Sequence, residues 1–346
     1  MTNTTDGLSS PNEMPSGPDP LVLFVIGHPR CGSTVIGNVL AELPGIFHAG
    51  EMCYLWKDGL PAPRRRCGCG LEMRECEVWR RSLARATGAP MDETEVMPAE
   101  GAAPTTGLPG AEPVRMSRLQ SEALGRFVSL RAARLDPRWR PQGAAAEYLS
   151  EMARIYRALA AETGASVIID SSKWPHDGRL IAGLAHIEQP LEVAFVHLLR
   201  EPWGGVFSRL PRDRPDIPGS RRPATRRRVL LESLRWLKSN IMAEIVIHRS
   251  GSRAHTLRYE DFTADPAAAL AGMADFMGVV GASSVFDGRT LMLSVNHTTG
   301  GNRNRWQTGE IEISQDRRWK SGMSTGDVRL VSLVTLLYRR RYGNAP

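Results

Sequence analysis

Apolar residues in this chain gather into a few short unbroken runs, set between longer stretches where they recur every three or four positions. The runs are Leu21–Ile26, Ser166–Ile169 and Val193–Leu199, with Ala254–Arg258 as a fourth candidate. Unbroken runs of this length suit parallel strands buried on both faces. Helical spacing covers Val35–Glu42, Ala144–Glu162, Arg179–Ile187, Leu230–His248 and Pro266–Met277. Strands alternating with helices predict an α/β fold, a central parallel sheet flanked by helices. Ligands of such sheets bind at the carboxyl ends of the strands, so the loops after each strand are where chemistry is sought. Two stretches resist assignment. Residues 88–113 are rich in Pro, Gly and Ala and read as a surface insertion, and residues 210–228 are rich in Arg and Pro and read as a mobile loop.

Composition narrows the class. The 346 residues suffice for a sizeable core, and 42% are hydrophobic. The net charge of +7, from 44 basic and 37 acidic residues, suits an anionic ligand but is too mild and scattered to favour nucleic acid. Residues 1–20 are polar and rich in Pro, Gly and Ser, as in a disordered tail, and lack the basic start and apolar core of a signal peptide. No apolar run approaches the roughly 18 residues of a membrane helix. The expectation is a cytoplasmic protein, in which five cysteines remain reduced.

The loop after the first strand is the most specific feature. Leu21–Ile26 ends at Gly27, and a helix-like stretch begins near Ser33. Strand, glycine loop and helix start make a phosphate cradle of backbone N–H groups. The spacing from Gly27 to Gly32 is that of a Walker A loop, yet Ser33 stands at the lysine position and Arg30 lies inside the loop. A kinase or ATPase needs that lysine on its β- and γ-phosphates. The cradle without the lysine points to a nucleotide with a 5′ anionic group and no γ-phosphate. After the third clear run, Arg200 ends the strand and Ser208 follows eight residues later. If Pro202 opens a helix, Arg200 and Ser208 can share one ligand.

These two loops, in this order, resemble those of the sulfotransferases that use 3′-phosphoadenosine 5′-phosphosulfate (PAPS). Pro29-Arg30-Cys31-Gly32-Ser33-Thr34 is similar to that family's 5′-phosphosulfate loop, commonly P-[KR]-[ST]-G-T-[TS], with Cys31 and Ser33 as departures. Arg200-x7-Ser208 is similar to its 3′-phosphate motif, and Tyr259-Glu260-Asp261 with Asp265-Pro266 is a third match. The similarity runs from about Leu21 to Gly322. It implies a P-loop-nucleotide-hydrolase-like sulfotransferase fold over residues 21–346, one catalytic domain with variable insertions at about 52–150 and 203–230. It implies sulfonate transfer from PAPS to an acceptor hydroxyl on a small metabolite, sugar or lipid, by in-line displacement and with no metal.

The resemblance also assigns candidates. Arg30, Cys31, Gly32, Ser33 and Thr34 would hold the 5′ end, and Arg200, Ser208 and Tyr259 the 3′ side. Gly301-Asn302-x-x-Arg305 resembles a G-N-x-x-R segment of related bacterial sulfotransferases and would close over the 3′-phosphate and adenosine, with Arg303 sharing the role. Glu51, 21 residues after Arg30, would take the acceptor proton, with His48 as the rival base. Lys173, after the second clear run, would neutralise charge on the bridging oxygen, with Ser171 or Ser172 bonding the same group. Lys320 and Gly322 loosely match a terminal K-G element. Cys67, Cys69 and Cys76 depart from the paired C-x2-C knuckles of zinc ribbons even with Cys53 as a fourth thiol, so reduced packing thiols are favoured over a structural zinc site, which stays open as the alternative. Two rivals remain open: a P-loop kinase or NTPase, and a non-catalytic nucleotide-binding module. Oligomeric state is not readable.

Overall fold

Five strands build the central sheet: β1 (Leu21–Gly27), β2 (Ile46–Gly50), β3 (Val167–Lys173), β4 (Val193–Leu199) and β5 (Ala254–Arg258). All neighbours are parallel, in the order β2-β3-β1-β4-β5. This computed structural model describes residues 18–59, 65–88, 112–125, 139–210, 225–279 and 285–342. Most of the expected N-terminal tail, most of the 88–113 insertion and residues 211–224 of the Arg/Pro-rich loop lie outside the described residues.

The helices are α1 (Ser33–Leu40), α2 (Glu77–Thr87), α3 (Glu112–Gly125), α4 (Ala144–Thr163), α5 (Pro175–Ile181), α6 (Pro202–Phe207), α7 (Arg226–Ser250), α8 (Tyr259–Ala264) and α9 (Pro266–Met277). Near the C-terminus follow α10 (Trp319–Gly322), α11 (Thr325–Val334) and α12 (Leu336–Arg341). A small antiparallel sheet, β6 (Phe286–Asp287), β7 (Thr290–Leu293) and β8 (Gly309–Glu312), packs beside α1 and α9.

Alternate residues of β1 serve opposite cores. Leu21, Leu23 and Val25 meet Ile36, Val39, Phe262 and Leu270 from α1, α8 and α9. Val22, Phe24 and Ile26 face Met152, Tyr156 and Leu180 from α4 and α5. All seven residues of β1 are buried, which is why its sequence shows no polar alternation. Burying a side chain the size of Phe24 contributes about 1.5–3 kcal/mol. A third cluster, with Trp203, Trp236, Trp319 and Tyr338, ties α6, α7 and the C-terminal helices together. Among the described residues no helix is long and apolar enough to cross a membrane.

The connectivity locates the site. From β1 the chain passes over β3 to β2, whereas from β3 and β4 it runs toward the β5 edge. Diverging connections leave a crevice at the carboxyl ends of β1, β3 and β4.

Candidate active site

The loop after β1 forms one wall of a cavity of about 490 Å³. That volume lies within the roughly 300–1,000 Å³ of small-molecule sites. Gly32 precedes α1 with φ 101°, and a Cβ there would stand 2.7 Å from the Tyr259 ring. Both the conformation and the contact require glycine. Arg30 adopts φ 75°, an uncommon conformation for a residue with a Cβ. Its side chain is exposed at the cavity, while its carbonyl accepts a bond from Arg200 Nη1 at 3.0 Å. Partial desolvation against the cavity wall, with the charge of the nearby Arg200, holds the Arg30 guanidinium below its usual pKa. Ser33 and Thr34 line the cavity in the first turn of α1. Gly32, at the N-cap, has no side chain to cap that turn, an arrangement that suits an anion at its leading amides. Cys31 points the other way, into the core beside Ile36, and burial raises its thiol pKa. Unlike its neighbours in the loop, it is not part of the cavity lining.

Opposite this loop, Arg200 leaves the end of β4 buried to 7% exposure. Its guanidinium lies 4.5 Å over the Tyr259 ring and 3.2 Å from the Asp316 carboxylate. Asp316 also accepts from Arg318 Nε at 2.7 Å, a bond that pulls its carboxyl well below the usual range. Ser208 ends α6 and lines the cavity, its hydroxyl donating to Gly205 O at 2.8 Å. Pro202 opens α6, as the helix start between Arg200 and Ser208 requires. Glu260 turns away to accept the Glu201 N–H at 3.0 Å, and burial raises its carboxyl pKa to about 7.

Glu51 and Lys173 meet at the ends of β2 and β3. The Lys173 ammonium donates to Glu51 Oε1, and to Ser171 O at 2.9 Å. Both residues line the cavity. Lys173 has φ 72°, beside a register shift between β1 and β3. The backbone at Lys173 is thus uncommon for a residue with a Cβ, at a position that lines the cavity.

His48 lies outside the cavity lining, buried between Asn38 Oδ1 at 2.8 Å and Ser171 Oγ at 3.0 Å. Burial, helped by the charge of Lys173, pushes its pKa down to about 3. Ser172 donates to Asp170 and accepts from the Cys53 amide at 2.9 Å. The two serines therefore serve the strand end rather than the cavity.

The segment from Asn296 to Trp306 closes one side as a strap. Thr299 N and Oγ1 bond Ala49 O at 2.9 and 3.1 Å, and Asn302 N donates to Thr34 Oγ1 at 3.2 Å. Gly301 and Asn302 line the cavity. Arg303 is exposed and outside the lining. Arg305 is also outside it, buried with its guanidinium on Arg66 O at 3.0 Å and 4.4 Å over Trp306. Lys320 is exposed and Gly322 packs on Phe207, neither of them in the lining. Asn304, Gln307, Asp316 and Arg318 belong to the cavity but carry no local sequence signal, because polar residues in a loop look alike until the fold closes. His297 stands beside Cys67, Cys69 and Cys76, 230 residues after the first of them.

No protein-family model matches the chain, and neither does any curated protein. Among solved structures, the chain is similar to the sulfotransferase domain of the Synechococcus PCC 7002 olefin synthase. The identity is 17%, covering 93% of this chain and 97% of that one, with a TM-score of 0.45. The sulfotransferase STF9 from Mycobacterium avium follows at 14% identity, 94% and 77% coverage and a TM-score of 0.43. A sulfotransferase from Alicyclobacillus acidocaldarius is 12% identical, with 93% and 96% coverage and a TM-score of 0.36.

Proposed function

We propose that this chain is a sulfotransferase that moves a sulfonate group from PAPS to an acceptor hydroxyl. One observation carries the reading. A single cavity unites a glycine loop without the Walker lysine, the Arg200–Ser208 pair, and a carboxylate–lysine pair on neighbouring strands. The residues fit a bisphosphorylated nucleotide. Arg200 Nε is buried with no hydrogen-bond partner among the described residues, and the first amides of α1 are uncapped. Both are donors suited to anionic oxygen.

The chain's own groups divide the work. Arg30 and the amides of residues 32–34 hold the 5′ end. Arg200, steadied on Tyr259, and Ser208 hold the 3′-phosphate, so Arg200 exchanges its Asp316 contact for the ligand. Glu51 accepts the acceptor's proton as its oxygen bonds to sulfur. Lys173 neutralises charge on the bridging oxygen as the bond to the 5′-phosphate breaks. Because the Lys173 ammonium bonds Glu51, the carboxylate becomes a base only when Lys173 turns toward that developing charge. The test is release of 3′-phosphoadenosine 5′-phosphate from PAPS over a panel of sugar, lipid and phenol acceptors, by the wild type and by Glu51→Gln. Acceptor-dependent release that requires Glu51 supports the reading. Hydrolysis of ATP with Mg²⁺ by the same preparation, with no release from PAPS, overturns it in favour of an NTPase.

A further inference from the structure

We propose that Cys67, Cys69, Cys76 and His297 bind one structural Zn²⁺, which staples the cysteine loop to the strap closing the active-site cavity. The four ligand atoms all lie within 4.8 Å of one another. Cys67 Sγ stands 3.5 Å from Cys76 Sγ and 3.9 Å from His297 Nδ1, and Cys76 Sγ is 3.2 Å from that nitrogen. A tetrahedron with Zn–S of about 2.3 Å and Zn–N of about 2.0 Å has edges of roughly 3.5–3.8 Å. Three thiols and an imidazole are the Cys3His donor set of structural zinc, and soft sulfur selects against magnesium and calcium. No disulfide engages these cysteines. Cys53, the other thiol nearby in sequence, is elsewhere, its amide on Ser172 and its carbonyl on Gln120.

The surroundings hold the four ligands as a closed structural site requires. Cys67 sits in a tight turn, with Cys67 N on Leu71 O at 2.7 Å and Gly70 N on Cys67 O at 3.0 Å. Trp306 Nε1 donates to Cys67 O at 3.0 Å, and the buried Trp79 donates to His297 O at 2.6 Å. Gly68 N bonds Thr298 O at 3.0 Å, so the two segments also meet through backbone. Binding releases the thiol protons and leaves three thiolates and a neutral imidazole around a dication, a net charge of −1. Arg305, buried nearby and electrostatically coupled to Cys67, complements that charge. The consequence reaches the active site, because the chain from His297 runs to Thr299 on the end of β2 and to Asn302 on Thr34. A metal link between residues 230 apart removes much of the strap's freedom to open.

The test is metal analysis of the full chain, expressed with zinc and purified under reducing conditions without chelator. About one zinc per chain is expected, falling to near zero in Cys76→Ala and His297→Ala and retained in His297→Cys and Cys53→Ser. If the alanine variants do not fold, the wild type decides. Mercurial titration of its thiols releases the zinc to a colorimetric indicator, and Co²⁺ substitution gives thiolate charge-transfer bands with a tetrahedral d–d pattern. A reduced wild type that stays metal-free after reconstitution with Zn²⁺, or a Cys67–Cys76 disulfide in the native chain, overturns the proposal. Neither readout depends on sulfonate transfer.

Discussion

Glu51 and His48 lie three residues apart on and after β2, yet their surroundings assign them different work. Glu51 faces the cavity and Lys173, whereas His48 is sealed between Asn38 and Ser171. Glu51→Gln is therefore expected to lower kcat by about 10²–10⁴-fold while nucleotide affinity stays unchanged. Steady-state kinetics with calorimetry on the same protein checks both parts, and a near-normal kcat would remove Glu51 from the base role. His48→Ala orphans two buried polar partners and is expected to cost about 1–3 kcal/mol of stability. Its rate–pH profile should keep the wild-type shape, since a ring held near pKa 3 by burial is already neutral at working pH. A lowered melting temperature with an unchanged profile is the expected pair of results, and an altered profile would contradict that assignment.

At the scale of elements, the end of β3 and the start of α5 bury two carboxyl groups together. Asp170 accepts from Tyr156 OH at 2.8 Å and Ser172 N at 2.9 Å, while burial and the neighbouring Asp170 push the Asp177 pKa to about 8. Between about pH 4 and 8 the folded chain keeps a proton on Asp177 that the unfolded chain loses. The stability linked to this proton is full at low pH and is lost as pH rises toward 8. Asp177→Asn should therefore gain on the wild type in melting temperature as pH rises from 5 to 8; parallel curves would count against a raised pKa. The same elements explain what was readable beforehand. β1, β4 and β5 lie at or within a residue of their apolar runs, and α9 spans Pro266–Met277 as its spacing predicts. β3 extends four residues beyond its apolar run, because Asp170, Ser171, Ser172 and Lys173 are polar yet find partners inside the fold. The strands β6 to β8, of two to four residues, are too short to show a period.

For the whole molecule, the parallel sheet does the assembling. It gathers Arg30, Glu51, Lys173, Arg200 and Asn302 around one cavity from points spread over most of the chain. The glycine loop, Arg200 and Ser208 were legible because each follows a strand that declares itself in sequence. Asp316, Arg318 and His297 were not, since their neighbours are fixed only by long-range closure. Arg303 and Arg305 carry the right charge for an anion site, but the strap directs one outward and the other onto the Arg66 carbonyl. On the proposed reading Arg200 holds the 3′-phosphate, and Arg200→Ala should raise the dissociation constant for the bisphosphate about 10–100-fold. The most direct measurement is calorimetric titration of the wild type and Arg200→Ala with 3′-phosphoadenosine 5′-phosphate, beside ATP with Mg²⁺. The account predicts micromolar binding of the bisphosphate, little binding of ATP, and the stated loss in the variant. Preference for ATP, or bisphosphate affinity indifferent to Arg200, would contradict it.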